Sequence, residues 1–79
     1  LQKLEEYDHS NGTYLQDTLM EYYMHGFSNV KTAEALYIHR NSLQHRLDKI
    51  EELLGIDITD YSEYLDIINC ILVKKIIYM

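Results

Sequence analysis

The sequence predicts an all-α domain of four or five helices, and three observations carry that prediction. There is no proline and there are only three glycines, so few positions break the chain, which favours long helices over many short strands. Apolar residues recur at three- and four-residue intervals through most of its length. Gly26 and Gly55 close two such runs, where a helix stop belongs. With 79 residues the chain makes a single domain. A domain of this size buries only about 60% of its unfolded surface and stays modestly stable unless it gains a partner.

Residues 1–10 carry Leu1, Leu4 and Tyr7 at helical spacing among acids, and read as a short helix or turn. Ser10 to Thr13 is a break, after which Thr13 is the expected cap, its hydroxyl accepting from a first-turn N–H. Leu15, Leu19, Tyr22 and Tyr23 form the apolar stripe of a helix from Tyr14 to His25. Ser28 or Asn29 caps a two-turn helix that runs to about Leu36, with Ala33 and Leu36 facing inward. Tyr37-Ile38-His39 interrupts, and a longer helix follows from Arg40 to Leu54 with His39 at its cap. Its core stripe is Leu43, Leu47, Ile50 and Leu54. Ile56 to Thr59 is a loop, Asp60 caps the last helix with the spacing of a capping box to Glu63, and that helix reaches about Ile77.

The formal charge is -6, which at first argues against a nucleic-acid partner. The distribution argues the other way. Residues 31–49 hold Lys31, Arg40, Arg46 and Lys49 against Glu34 and Asp48, while the rest of the chain holds three lysines against eleven acids. Binding responds to the local field, screened beyond ~8–10 Å at ordinary salt, so a locally basic face on an acidic domain can meet phosphate. Cys70 has no second cysteine to pair with, and among apolar neighbours it reads as a buried thiol in a reducing compartment. No charged-then-apolar leader is present, and the start at Leu1 suggests a piece of a longer chain. Asp66, Asn69, Lys74 and Lys75 interrupt the apolar tail, which makes it a poor membrane span.

The stretch HRNSLQHRL, His39 to Leu47, contains no acid. At ~100° per residue, with Leu43 toward the core, Asn41 and His45 point away, Gln44 lies on one flank, and Ser42 and Lys49 lie on the other. Arg46 sits near the core edge but is long enough to reach outward. Arg, Asn, Gln and His hydrogen-bond base edges, and Ser, Lys and Arg suit phosphate oxygens. Arg40, Asn41, Gln44 and His45 are therefore the expected base-facing residues. Asn29, Lys31, Thr32, Ser42, Arg46 and Lys49 are the expected phosphate contacts. A capped two-turn helix, a three-residue break and a longer polar-faced helix together spell a helix-turn-helix.

The segment NVKTAEALYIHRNSLQHRLDKIEELLGIDI resembles the C-terminal helix-turn-helix domain of PucR-type transcription factors, a group that includes the carbohydrate diacid regulators. The likeness runs from about Leu4 to Leu72. It implies a bacterial cytoplasmic regulator that binds promoter DNA as a dimer or higher oligomer, with an N-terminal sensory region ahead of this domain. On that resemblance Arg40, Asn41 and Ser42 fall in the recognition-helix motif, and Arg46 falls on its second basic position. Gln44 stands where the family often has arginine and His45 where it often has tyrosine, which lowers the positive charge. Tyr37 occupies the turn position where many other helix-turn-helix proteins have glycine.

Other chemistries read weakly. No two histidines have the i, i+4 spacing that puts both on one metal, and none of the acid pairs comes with a nucleophile, a glycine-rich phosphate loop or a cofactor motif, so neither an enzyme nor a cofactor is expected. Most of the eight tyrosines lie on apolar stripes, where packing is the expected role. In the last helix Leu65, Ile68, Ile71 and Leu72 form one stripe, and Ile67, Val73, Ile76 and Ile77 leave a second side apolar. That second side is the expected surface for a homodimer or for docking of the sensory region. The rival reading is a helical protein-interaction module without DNA binding.

Overall fold

The computed structural model describes residues 2–77, with side chains described through Val73. It has five helices: α1 (Gln2–Asn11), α2 (Leu15–Met24), α3 (Asn29–Leu36), α4 (Arg40–Leu54) and α5 (Tyr61–Ile77). Among the described residues there is no strand. No helix there is long and apolar enough to cross a membrane. Helices α2, α3 and α4 pack on one another, and α1 lies across α2 and α4. The expected stripes supply the core: Leu15, Leu19, Tyr22 and Tyr23 from α2, Ala33 from α3, and Leu43, Leu47 and Ile50 from α4 are all buried. Leu54 is half-buried at the end of the α4 stripe. Burying a leucine of this kind contributes ~1.5–3 kcal/mol, so the stripe of α4 fixes which of its faces is left for solvent.

The start of α2 departs from expectation. Thr13 does not cap it; its hydroxyl donates to Asp8 Oδ1 at 2.6 Å. The cap comes from α1 instead, where Asp8 Oδ1 accepts from the Leu15 N–H at 2.8 Å and Asp8 Oδ2 from the Gln16 N–H at 3.0 Å. One carboxylate thus satisfies two orphan amides and ties two helices together, a link across the break that local spacing does not reveal.

Two turns flank α3, and both are built alike. At the end of α2 the Gly26 N–H donates to Tyr23 O and the Phe27 N–H to Tyr22 O. At the end of α3 the Tyr37 N–H donates to Glu34 O and the Ile38 N–H to Ala33 O. Both are Schellman motifs, which need a left-handed residue just past the helix. Gly26 fills that place in the first, with φ 63°, and Tyr37 in the second, with φ 58°. Between them, Ser28 Oγ accepts from the Lys31 N–H at 3.2 Å and starts α3.

Helix α5 is held by an aromatic cluster. The Tyr64 ring lies 4.8 Å from Tyr23 and 5.5 Å from Phe27, both edge-on. The Tyr23 hydroxyl donates to Ile58 O at 3.0 Å and pins the loop before α5. Burial pushes both the Tyr22 and the Tyr23 hydroxyls above the ordinary tyrosine range. Asp60 caps α5, its Oδ1 accepting from the Ser62 N–H at 2.9 Å. Not every tyrosine is buried, however: Tyr14, Tyr37 and Tyr61 are exposed.

Tyr64 also corrects the assignment of faces on α5. With Tyr64 turned inward, Ile67 and Ile71 enter the core and Ile68 packs against it. Ile67 is therefore unavailable as a docking residue. Leu65 and Leu72, expected inside, are exposed, as is Val73. Both sides of this helix are apolar in sequence, so polarity could not set its phase; the aromatic contact does. Ile76 and Ile77 lie outside the residues whose side chains are described. Cys70 is exposed and not the buried thiol expected from its neighbours.

Candidate nucleic-acid interface

The start of α4 is set by His39, whose Nδ1 accepts from the Asn41 N–H at 3.0 Å. Accepting there requires an unprotonated Nδ1, so the neutral ring carries its proton on Nε2. Beyond the cap, the packing of Leu43 turns the other side of the first two turns outward. Arg40, Asn41, Ser42, Gln44 and His45 are all exposed. The first acid on this helix is Asp48, so its amino-terminal half offers donors and acceptors with no carboxylate among them. Asn41, Gln44, His45 and Asp48 line one shallow depression along this face.

Gln44 is held from both sides. Its Oε1 accepts from Asn29 Nδ2 at 3.3 Å, and its Nε2 donates to Asp48 Oδ1 at 2.8 Å. Asn29 at the first residue of α3 is thus tied to the face of α4. The i, i+4 spacing of Gln44 and Asp48 was legible in sequence. The link to Asn29 was not, because it depends on how the two helices cross.

The residues expected to meet phosphate separate into two sets. Asn29, Lys31 and Ser42 are exposed. Thr32 is wholly buried and its hydroxyl donates to Ser28 O at 2.7 Å, so its side chain has no surface to offer a phosphate. Arg46 is half-buried and its Nη1 lies 3.3 Å from Thr18 Oγ1, which makes it a strut between α4 and α2. Lys49 leans toward α1, with Nζ 5.2 Å from the centre of the Tyr7 ring and 3.5 Å from Glu52 Oε1. Of the four basic side chains between residues 31 and 49, only Lys31 and Arg40 are exposed. Among the described residues, no group of three or more His, Cys, Asp and Glu side chains converges as a metal site.

Residues 15–68 match the family model described as the PucR C-terminal helix-turn-helix domain. The chain belongs to that family. It is 38% identical over 55 residues to the carbohydrate diacid regulator of Escherichia coli K12, covering 70% of this chain and 14% of that protein. It is 34% identical over 76 residues to the proline-responsive transcriptional activator PutR of Bacillus subtilis, covering 91% of this chain and 18% of PutR. It is 39% identical over 72 residues to the DNA-binding transcriptional activator AdeR of the same organism, covering 85% and 17%. No solved structure gives a significant match. The chain spans less than a fifth of the length of these relatives. Those relatives are bacterial, and their names describe a regulator and two transcriptional activators. Over the described residues this PucR-type domain is all-α, with α3, a three-residue turn and α4 in succession inside the matched segment.

Proposed function

We propose that this PucR-type domain binds duplex DNA sequence-specifically in transcriptional regulation, with the amino-terminal half of α4 in the major groove. One observation carries the reading: the solvent face of α4 from Arg40 to His45 is exposed, free of acids and composed of side chains that hydrogen-bond bases, while Leu43 anchors the opposite face. Arg40, Asn41, Gln44 and His45 face the bases. Lys31, Ser42 and the amino end of α3 near Asn29 meet the backbone. The domain serves a longer cytoplasmic regulator with a sensory region ahead of it, which the small share of each relative that it covers supports. It acts as a homodimer, since paired half-sites need paired domains, and the outer side of α5 with Leu65, Leu72 and Val73 is the exposed apolar surface offered for pairing.

The test is a titration of the domain with duplex DNA, followed by amide NMR at low and higher salt. Shifts should concentrate in residues 29–46 and weaken with salt. Lys31 and Arg40 are the exposed lysine and arginine between residues 31 and 49, and Arg40 faces the bases, so log K should fall against log salt with a shallow slope, no steeper than about -2 per bound domain. Asn41→Ala should erase preference at one or two base pairs, and Lys31→Ala should weaken all sequences alike. If DNA moves no resonance while concentration-dependent shifts map to α5, the domain is an interaction module and the groove reading is wrong.

A further inference from the structure

We infer that Gln44 reads an adenine, and that Asn29 and Asp48 are the positioning residues that aim it. The inference rests on the groove reading above and names the base class that this face would select. A glutamine amide has two N–H donors and two acceptor sites on its oxygen. One acceptor site is taken by Asn29 Nδ2 at 3.3 Å and one donor by Asp48 Oδ1 at 2.8 Å. The Asp48 carboxylate can only accept, so it fixes which end of the Gln44 amide faces it. Asn29, whose own amide can present either end, then donates to the Gln44 oxygen and holds that orientation. What is left is one donor and one acceptor on the same group, exposed on the outer face of α4 beside Asn41 and His45. Of the four bases, adenine presents the complement in the major groove: N7 accepts and N6–H donates.

This also gives Asp48 a purpose. An exposed carboxylate on a face that meets DNA repels phosphate and weakens binding to every sequence alike. As the acceptor that orients Gln44, it exchanges general affinity for discrimination at one base pair. The same geometry turns Asn29 toward Gln44 and away from the phosphate role expected of it.

Selection of bound duplexes from a random library, with the 79-residue chain as it stands, tests the assignment. The enriched motif should contain an adenine whose preference disappears in Gln44→Ala. Replacing that adenine by 7-deazaadenine, which lacks the N7 acceptor, should weaken the parent roughly five- to a hundred-fold and leave Gln44→Ala unaffected. Asp48→Asn and Asn29→Ala should both relax the preference, and Asp48→Asn should at the same time bind scrambled DNA more tightly than the parent. That gain follows from the lost charge alone; the loss of the adenine preference in a variant that still binds DNA is what a merely structural role for Asp48 would not produce. An enriched motif with no adenine that depends on Gln44, or one that survives Asp48→Asn and Asn29→Ala intact, overturns this inference and leaves the groove reading standing. Failure to enrich any sequence overturns the groove reading, and this inference with it.

Discussion

The two turns on either side of α3 have the same hydrogen-bond pattern and different side chains at its corners. The first, at Gly26-Phe27, points its side chain inward: the Phe27 ring packs edge-on against Tyr22, Tyr23 and Tyr64. The second, at Tyr37-Ile38, leaves Tyr37 95% exposed. The first turn puts Gly26 and then Phe27, at φ 65°, in the left-handed region, and the second puts Tyr37 there; each non-glycine residue so placed costs roughly 1–2 kcal/mol. A Schellman turn by itself thus says little about what it contributes. The first is a piece of the core that joins α2 to α5. The second packs only the smaller Ile38 against the core and turns Tyr37 outward, at the corner from which α4 sets out.

The comparison breaks most readily at Phe27. Phe27→Ala removes the ring shared by three tyrosines and should lower stability by about 2–3 kcal/mol, below the ~3–5 of a fully buried phenylalanine because Phe27 is only half-buried. Urea unfolding measures this, and the base preference of the folded fraction should be unchanged. Next comes Gly26→Ala. A methyl group there meets nothing within 4 Å, so its cost is the left-handed backbone alone, about 1 kcal/mol. A clearly larger loss would mean that the turn itself had rearranged.

Tyr37→Gly should act in the opposite direction. It relieves the same strain and gives up no buried contact, for a net gain of under ~1 kcal/mol once the extra freedom of glycine in the unfolded chain is counted. A loss on thermal unfolding would show that the exposed ring has a partner in the folded state.

The smallest effect is a pH dependence confined to the first turn's cluster. Burial raises the Tyr22 and Tyr23 hydroxyls above their ordinary value of 10.0. An acid with a raised folded pKa holds its proton longer in the native state than in the unfolded chain. Its contribution is therefore complete below pH ~10 and is lost as the pH climbs toward the raised values. Stability should fall above pH ~10, and Tyr23→Phe should flatten that fall while losing the hydroxyl bond to Ile58.

These contrasts mark what could be read along the chain. Spacing located α4 from Arg40 to Leu54 with His39 as cap and Gly55 as stop, and Ser28 was one of two caps named for α3. All of these are local signals, in which a residue's type and its neighbours settle the conformation. The inward stripe of α4 is equally local, and so the outward placement of Arg40, Asn41 and His45 followed from it. Amino-acid order also separated the cation-bearing middle of the chain from its acidic ends.

What only the tertiary structure decided involves partners distant in sequence. Asp8 caps α2 from α1, and Thr13 serves Asp8 instead of the helix. Arg46 is drawn to Thr18 and Lys49 to Tyr7, which removes two cations from the face that one helical wheel had given them. Thr32 vanishes into the contact between helices. On α5, where both sides are apolar, no periodicity could choose between stripes, and the packing of Tyr64 against Tyr23 and Phe27 chose Ile67 and Ile71. A helical wheel fixes angles around one axis, but how two axes cross depends on the shapes of all the side chains between them. That crossing brought Asn29 to Gln44.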